Sequence, residues 1–395
     1  MTLLALDPGR YDETATRTFL APIVPVDELA ATPQDAAFHA EGDVWTHTQM
    51  ALRALVDSDA YTALAPAARA IVASAVALHD IGKPSTTRTE PDGKISSRGH
   101  SARGEHVARV ALWRLGVPFG PREHVCALIR SHQVPFFGIT KPDAERLAIR
   151  MSLAVRHDWL TLVADADGRG RRCLDPADQP RILEHCALWA EHCREHGVLT
   201  GARAFASDHT RRTWLEQDGR HPDVLAHDDT TCEVVLMSGL PASGKDTWLR
   251  THRPALPVVS LDDLRTELDV DPAADQSSVI AVARERARNY LRTGTAFAWN
   301  ATNLTASLRG QLLELVRGYR ARTHVVYVET AAADQLARNR ARDIPVPALA
   351  ISRMLQRWSV PDPTEAHVVT YAVQPRAGEP GWPPEASDFR IDLRP

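Results

Sequence analysis

Apolar positions in the first half of the chain recur at intervals of three and four residues, the period that gathers them on one face of a helix. The spacing predicts helices over 44–57, 66–81, 101–115, 121–132, 142–168 and 178–197. Thr86–Ser97, with Pro91-Asp92-Gly93 at its centre, breaks the habit and reads as a hairpin. At Thr231 the pattern changes. Glu233–Met237, Pro257–Leu261, Ala296–Trp299, His324–Val328 and His367–Ala372 are short apolar runs separated by helix-period stretches. Strands alternating with helices predict a parallel sheet of strand–helix–strand units. Two domains are therefore expected, an all-α one followed by an α/β one. The boundaries fall at a lead-in over 1–35, a helical domain over 36–205, a polar linker over 206–231, an α/β domain over 232–373 and an irregular tail over 374–395, where Pro375, Pro380, Pro383 and Pro384 cluster.

Composition changes this picture little. With 395 residues, 44% apolar and 24% charged, the chain is long enough for each domain to bury its own core. A net charge of -4 gives no global basic footprint, so any nucleic-acid contact must come from local patches. The five cysteines, Cys126, Cys173, Cys186, Cys193 and Cys232, form no C-x-x-C pair and suit a reducing compartment. Met1–Leu6 is too short and lacks the basic flank of a signal peptide, and no apolar stretch approaches the ~20 residues of a membrane span. A soluble cytoplasmic protein is expected. Histidine is distributed unevenly: 14 of 17 precede residue 230. That asymmetry points to metal chemistry in the first domain and a different chemistry in the second.

His47 lies early in one predicted helix and His79-Asp80 ends another. An ion that activates water near neutral pH needs several nitrogen and oxygen ligands on rigid elements and an open coordination position. Adjacent residues at a helix end can both reach one ion from a bundle interior. Asp165 completes a four-ligand set; Asp167 competes with it, and Asp165 is preferred for its distance from Gly168-Arg169. His100 and His132 are spaced to supply a second ion or to hold a phosphate, with His106 and His124 as competitors. Lys83, one turn past the dyad, and Arg169, Arg171 and Arg172 can neutralise phosphate oxygens.

This order of His, His-Asp, His, His, Asp resembles the HD superfamily of metal-dependent phosphohydrolases, and within it the HD region of bacterial tRNA nucleotidyltransferases. Glu41–Thr48, Leu78–Thr87, Gly99-His100 and Ala164–Arg169 carry the resemblance, across residues 36–172. It implies His47, His79, Asp80 and Asp165 as metal ligands, with Asp80 also counted as catalytic. His100 and His132 become second-ion or phosphate contacts, and Lys83 and Arg169 phosphate contacts. The nucleotidyl-transfer motifs of those enzymes have no room in the short N-terminal stretch, so nucleotide addition is not expected. Such a polar site suits Mn, Co, Ni, Fe or Mg.

Gly239-Leu240-Pro241-Ala242-Ser243-Gly244-Lys245 follows an apolar run and opens a helix-period stretch, the context of a P-loop. Backbone N–H groups across Gly239–Thr247 would bind the β-phosphate of ATP, with Lys245 bridging toward the γ-phosphate. The motif normally continues with Ser or Thr, whose hydroxyl binds Mg²⁺; here Asp246 stands there, followed by Thr247. The expected ATP contacts are Gly239, Ser243, Gly244, Lys245, Asp246, Thr247 and Arg338. After the second apolar run, Asp262 can accept a proton from an attacking hydroxyl, and Arg265 shares its helical face. Arg338–Arg342 precede Ile344-Pro345-Val346-Pro347, and arginines on such a lid can offset charge on a transferring phosphoryl group.

Gly239–Trp248, Asp262–Arg265, Ala301–Leu304 with Arg309, and Arg338–Arg342 together resemble the 5'-hydroxyl polynucleotide kinases, over residues 232–372. The resemblance implies Asp262 as general base, Arg265 as a contact to the substrate's own phosphate and Arg342 as the transition-state arginine. Lys245 is counted as catalytic, and Thr302 and Arg309 would line the acceptor side. The family often has an acidic residue just before or within the Thr-Asn-Leu run, where this chain has Asn300 and Ala301.

A phosphoesterase joined to a 5'-kinase would turn broken ends into ends that a ligase accepts. The whole chain resembles the bacterial end-healing enzymes that join an HD phosphohydrolase to a polynucleotide kinase. That implies ATP, Mg²⁺ and a divalent transition metal as cofactors, RNA or DNA ends as substrates, a separate ligase as partner, and no membrane. Two other readings use the same motifs. One is a small-nucleotide or metabolite kinase fused to a nucleotide phosphohydrolase. The other is a non-catalytic RNA- or protein-binding module switched by ATP.

Overall fold

Residues 2–374 are described by the structure, a computed structural model, and they divide into two units, one up to Arg203 and one from Ala204. The proline-rich stretch from Pro375 lies outside the described residues.

The first unit is helical. Its central helix, Pro66–Leu78, starts with proline at a first-turn position and is buried continuously from Ile71 to Leu78. A helix that apolar belongs in the middle of a bundle. Helix Val44–Val56, whose N-cap Asp43 accepts from the Thr46 N–H at 2.8 Å, contributes Leu52 and Leu55 to the same core. Helices His100–Arg114, Phe119–Ser131, His157–Arg169 and Asp178–Glu195 complete the bundle. The hairpin pairs Arg88–Thr89 (β1) with Ile95–Ser96 (β2). The lead-in over 1–35 packs on the same core: Leu4, Leu6, Phe19 and Leu20 are buried in it, and the Tyr61 hydroxyl donates to the Leu6 carbonyl at 2.9 Å.

One long helix predicted over 142–168 is two helices, Ala144–Ser152 and His157–Arg169. The corner between them is built from polar side chains. His157 turns its Nε2 back to the Ala148 carbonyl at 2.9 Å, satisfying an acceptor that the broken helix would leave bare. Arg156, extended just before the second helix, closes a bidentate pair with Asp158. Apolar periodicity runs through such a corner and does not reveal it.

The second unit contains a five-stranded sheet. Its strands are Glu233–Ser238 (β3), Val258–Ser260 (β4), Phe297–Asn300 (β5), Arg322–Glu329 (β6) and Val368–Val373 (β7), in the spatial order β4-β5-β3-β6-β7. All pairings are parallel, as the alternation of runs predicted. The interior of β3, Val234–Met237, is fully buried, as expected of a central strand covered on both faces. The chain leaves β3 for β4 and β5 on one side and continues to β6 on the other. This reversal beside the C-terminal end of β3 is where α/β sheets open a crevice for ligands.

Candidate metal centre and phosphate cradle

Four imidazoles in the first unit are aimed inward by the same device. His79 and His132 follow helices Pro66–Leu78 and Phe119–Ser131, and each directs Nδ1 to the carbonyl three residues back, Val76 at 2.7 Å and Ile129 at 2.8 Å. His100 opens its helix and directs Nδ1 to the Ser97 carbonyl at 2.8 Å. His47 Nδ1 lies 3.2 Å from the Gly170 carbonyl and 3.0 Å from Glu41 Oε1. A carbonyl can only accept, so each Nδ1 carries a proton, and each Nε2 is the nitrogen that presents a lone pair when its ring is neutral. Those lone pairs converge. His47 and His79 Nε2 are 3.2 Å apart, and His100 and His132 Nε2 are 3.4 Å apart.

Carboxylates fill the space between them. Asp80 Oδ2 is 3.1 Å from His79 Nε2, and its Oδ1 is 3.3 Å from His100 Nε2, so one side chain faces both histidine pairs. Asp167 Oδ1 is 3.1 Å from His47 Nε2. Asp80 is buried, and the Lys83 ammonium stands 2.7 Å from its Oδ2 and pairs with it. Facing imidazole lone pairs in a buried pocket are costly unless a cation lies among them. Burial raises the Asp80 carboxyl, but His79 and Lys83 outweigh it and hold the group well below the ordinary range. Burial pushes His132 down to about 3, so it stays neutral, the form that binds metal. For His47, burial lowers the pKa, while Asp167, Glu41 and Asp80 prevail and raise it. The pocket draws positive charge, whether proton or metal. The donor set of imidazoles and carboxylates fits a divalent ion; among the described residues His47, His79 and Asp80, then Asp80, His100 and His132, and also His39, Glu41 and His47 form groups that could hold one.

The structure does not bring Asp165 to this centre. Asp165 and Asp167 sit two apart on helix His157–Arg169 and so face nearly opposite ways. Asp167 shares the buried face of Leu160, Val163 and Ala164, whereas Asp165 turns outward to an ion pair with Arg169 at 2.7 Å. That i, i+3, i+4, i+7 spacing was legible in the sequence and favoured Asp167. Arg169 is corrected with it: the inward arginine is Arg171, paired with Asp167 and lying over the Phe136 ring. Two further groups escaped sequence reasoning. Glu41 orients His47 and accepts from His39 Nδ1 at 2.8 Å and from the Arg172 N–H at 2.8 Å. Gln34 accepts from Lys83 at 2.5 Å. Their signal was weak because both lie in an irregular loop. His124 is committed elsewhere, with its ring against Trp159. The expected outcome is that Asp167→Asn lowers the metal retained per purified chain by about tenfold or more in affinity, while Asp165→Asn leaves it unchanged, as read by elemental analysis after graded chelation.

In the second unit, β3 runs into the loop Gly239–Gly244 and helix Lys245–His252. Gly239 is required there: a Cβ would lie 2.3 Å from the Val328 carbonyl oxygen. Ala242 and Gly244 also take positive φ, which turns successive N–H groups into the loop's concave side. Lys245 Nζ donates to the Gly239 and Leu240 carbonyls at 3.0 and 2.9 Å. Behind the loop, the Gly239 N–H donates to the Thr302 carbonyl at 2.9 Å, and Asn303 braces the Met237 carbonyl at 2.7 Å. Thr302 therefore supports the cradle through its backbone.

Asp262 and Arg265 lie on helix Leu261–Glu267 directly after β4 and pair with each other; Asp262 is exposed, and Arg265 also donates to Gln276 at 2.6 Å. Arg338 donates to Gln374 at 2.7 Å, and its Nη1 is 3.9 Å from where a Gly244 Cβ would stand, so it borders the loop. Burial pushes Lys245 down to about 8, against the pull of Asp246 and Asp262, and Arg342 lowers it further. Asp246, Asp262 and Arg342 thus share the electrostatic surroundings of that lysine. Arg309 does not belong to the site. It is fully buried, chelates the Glu365 carboxylate at 2.6 and 2.7 Å, and spends its remaining donors on Asn303, Ser359 and the Ser359 hydroxyl. A buried guanidinium must be paired this way, which leaves no donor for a substrate.

Residues 234–361 match the AAA domain family model. A stretch of 87 residues is 34% identical to the CC-adding tRNA nucleotidyltransferase of Thermus thermophilus, covering 22% of this chain and 19% of that protein. A longer stretch of 198 residues is 30% identical to the multifunctional CCA protein of Xanthomonas campestris, covering 47% of this chain and 44% of that one. The chain thus spans less than half the length of these curated relatives. Among solved structures, a sugar kinase from Janibacter is similar at 18% identity and a TM-score of 0.28, over 36% of this chain and 85% of that one. The chain joins a region similar to CCA-adding enzymes, at modest identity, to a P-loop α/β domain that matches the AAA domain model. No helix among the described residues is long and apolar enough to cross a membrane.

The state of Lys245 makes a prediction. A phosphate-binding lysine must be charged, and in the free protein this one loses its proton as pH rises through about 8. Bound phosphates favour the charged form, so ATP binding above that pH takes up a proton. Affinity for ATP is expected to weaken steadily from pH 8 upward, and titration calorimetry in buffers of different ionisation enthalpy should register the uptake.

Proposed function

We propose that the chain heals nucleic-acid ends: its P-loop unit phosphorylates 5'-hydroxyl ends with ATP, and its helical unit removes 3'-phosphate, 2'-phosphate or 2',3'-cyclic phosphate. The observation that carries this reading is the co-occurrence of a closed histidine–aspartate centre, with Asp80 facing both histidine pairs, and a P-loop flanked by Asp262 and Arg265. One site is chemically suited to breaking a phosphate ester and the other to making one.

In the kinase unit, Asp262 receives the proton of the attacking hydroxyl. Arg265, paired with Asp262 and 24% exposed at its side chain, would leave that pair to meet a phosphate of the acceptor strand. Lys245 and the loop amides hold the ATP phosphates, and Arg338 and Arg342 close from the lid side. In the helical unit, a divalent ion would supply an activated water and polarise the phosphate. His47, His79, Asp80 and Asp167 would hold it, His100 and His132 would hold a second ion or the phosphate, and Lys83 would offset phosphate charge. Mn, Co, Ni or Fe suits those donors, and Mg²⁺ suits the kinase. With Arg309 withdrawn, preference for a polymeric acceptor rests on Arg265. A ligase acting afterwards would be a separate partner, and the cytoplasm would be the compartment.

The test is one incubation with ATP, Mg²⁺ and Mn²⁺ and an oligonucleotide bearing 5'-hydroxyl and 3'-phosphate ends. Gain of a 5'-phosphate and loss of the 3'-phosphate on the same product is the expected result. Phosphorylation of a small metabolite with oligonucleotides ignored would sink the reading.

A further inference from the structure

The P-loop lysine is followed by Asp246 where the motif has a hydroxyl, and β5 ends in Asn300, beside the cradle. These two side chains meet: the Asn300 amide donates to Asp246 Oδ1 at 2.5 Å. The other end of that amide, Asn300 Oδ1, is buried and accepts no hydrogen bond. In P-loop enzymes Mg²⁺ is held by the loop hydroxyl and by an acidic residue at the end of a neighbouring strand. Together they provide one neutral oxygen and one carboxylate. Here the loop position carries the carboxylate and the strand end carries the neutral oxygen. The charge has moved across the site, and its total is unchanged.

We infer that Asp246 and Asn300 form a transposed Mg²⁺ site, with Asp246 as the charged ligand and Asn300 as the residue that aims it and offers its own carbonyl oxygen. The inference rests on the P-loop reading above and deepens it. Mg²⁺ requires hard oxygen ligands in near-octahedral array, and both side chains supply oxygen. Asp246 sits in the first turn of helix Lys245–His252, where the helix favours negative charge. Its position beside Lys245 also puts a carboxylate next to the ATP phosphates. Without metal it repels them, and with metal it becomes an anchor. ATP binding by this chain is therefore unusually dependent on the ion.

Thr247, the next hydroxyl along, is the rival ligand. It is turned one residue further around the helix and accepts from Arg250 at 3.3 Å. Asp263 is exposed and its N–H is committed to Ser260, which caps helix Leu261–Glu267.

The experiment measures ATP affinity of the full chain in EDTA and in Mg²⁺, and the Mn²⁺ signal by electron paramagnetic resonance with ATP present. Asp246→Asn is expected to bind ATP more tightly than the native chain in EDTA and to lose about tenfold or more of the tightening that metal gives. Asp246→Ser alone should also lose it. The double change Asp246→Ser with Asn300→Asp restores the ordinary arrangement and should recover it. Asp246 is exposed, so these variants fold, which circular dichroism checks. Retained metal tightening in Asp246→Asn, loss only in Thr247→Ala, or a double variant no better than Asp246→Ser would each overturn the inference. None of these readouts depends on which hydroxyl receives the phosphate, so a failed polynucleotide substrate leaves the inference standing. Failure of the native chain to bind ATP would overturn both.

Discussion

Asp80→Ala is expected to abolish phosphate release from a 3'-phosphorylated oligonucleotide while 5'-labelling from ATP continues at the native rate. Asp80 is the side chain shared by the His47–His79–Asp80 and Asp80–His100–His132 triads, with Oδ2 at 3.1 Å from His79 Nε2 and Oδ1 at 3.3 Å from His100 Nε2. Its removal takes a ligand from both positions and leaves the charge of Lys83, 2.7 Å from Oδ2, without its carboxylate. A metal's share of charge stabilisation is several kcal/mol, so the rate should fall by roughly a thousandfold or more. Asp80→Asn keeps the shape, which separates loss of charge from collapse of a buried cavity. If 3'-phosphate release survived in both variants, the centre would have another task. If kinase activity fell equally with the phosphatase in a folded variant, the two chemistries would not be separable.

How much of this was legible in the sequence differs between the two units for a physical reason. The five strands and the P-loop were readable because a buried parallel strand is a continuous apolar run and the cradle is contiguous in sequence. The histidine–aspartate cluster was readable in part, because His47, His79, Asp80, His100 and His132 lie at or near helix ends. Asp167 was missed in favour of Asp165, since which carboxylate on a helix reaches the cluster is fixed by which face is buried, and proximity to Gly168-Arg169 does not give that. Arg309 went wrong differently. Its role depends on Glu365, 56 residues away, and a long-range buried ion pair leaves no local mark. The opposite holds for Asp246 and Asn300, each a visible departure from a motif. Only their contact across 54 residues turns two anomalies into one arrangement.

Asp262→Ala is expected to cut 5'-phosphorylation by roughly 10²–10⁴-fold, the usual worth of a positioned base, with ATP affinity held and 3'-phosphate removal intact. Lys245→Ala should also end phosphorylation, but through the nucleotide, weakening ATP binding as well. The two variants therefore separate acceptor chemistry from donor binding. Asp262 is exposed, so its loss costs no core packing, while its partner Arg265 keeps a second anchor on Gln276 at 2.6 Å. Removing Asp262 frees the Arg265 guanidinium to hold an acceptor phosphate. Affinity for a 5'-hydroxyl oligonucleotide should then stay constant or improve as turnover collapses, a split between KM and kcat that a purely structural aspartate would not produce. Arg265→Ala should show the reverse, a raised KM for oligonucleotides and a smaller change for a mononucleoside acceptor without a phosphate. Equal losses in Arg265→Ala on both acceptors would mean that Arg265 serves only to orient Asp262, and the case for a polymeric substrate would go with it.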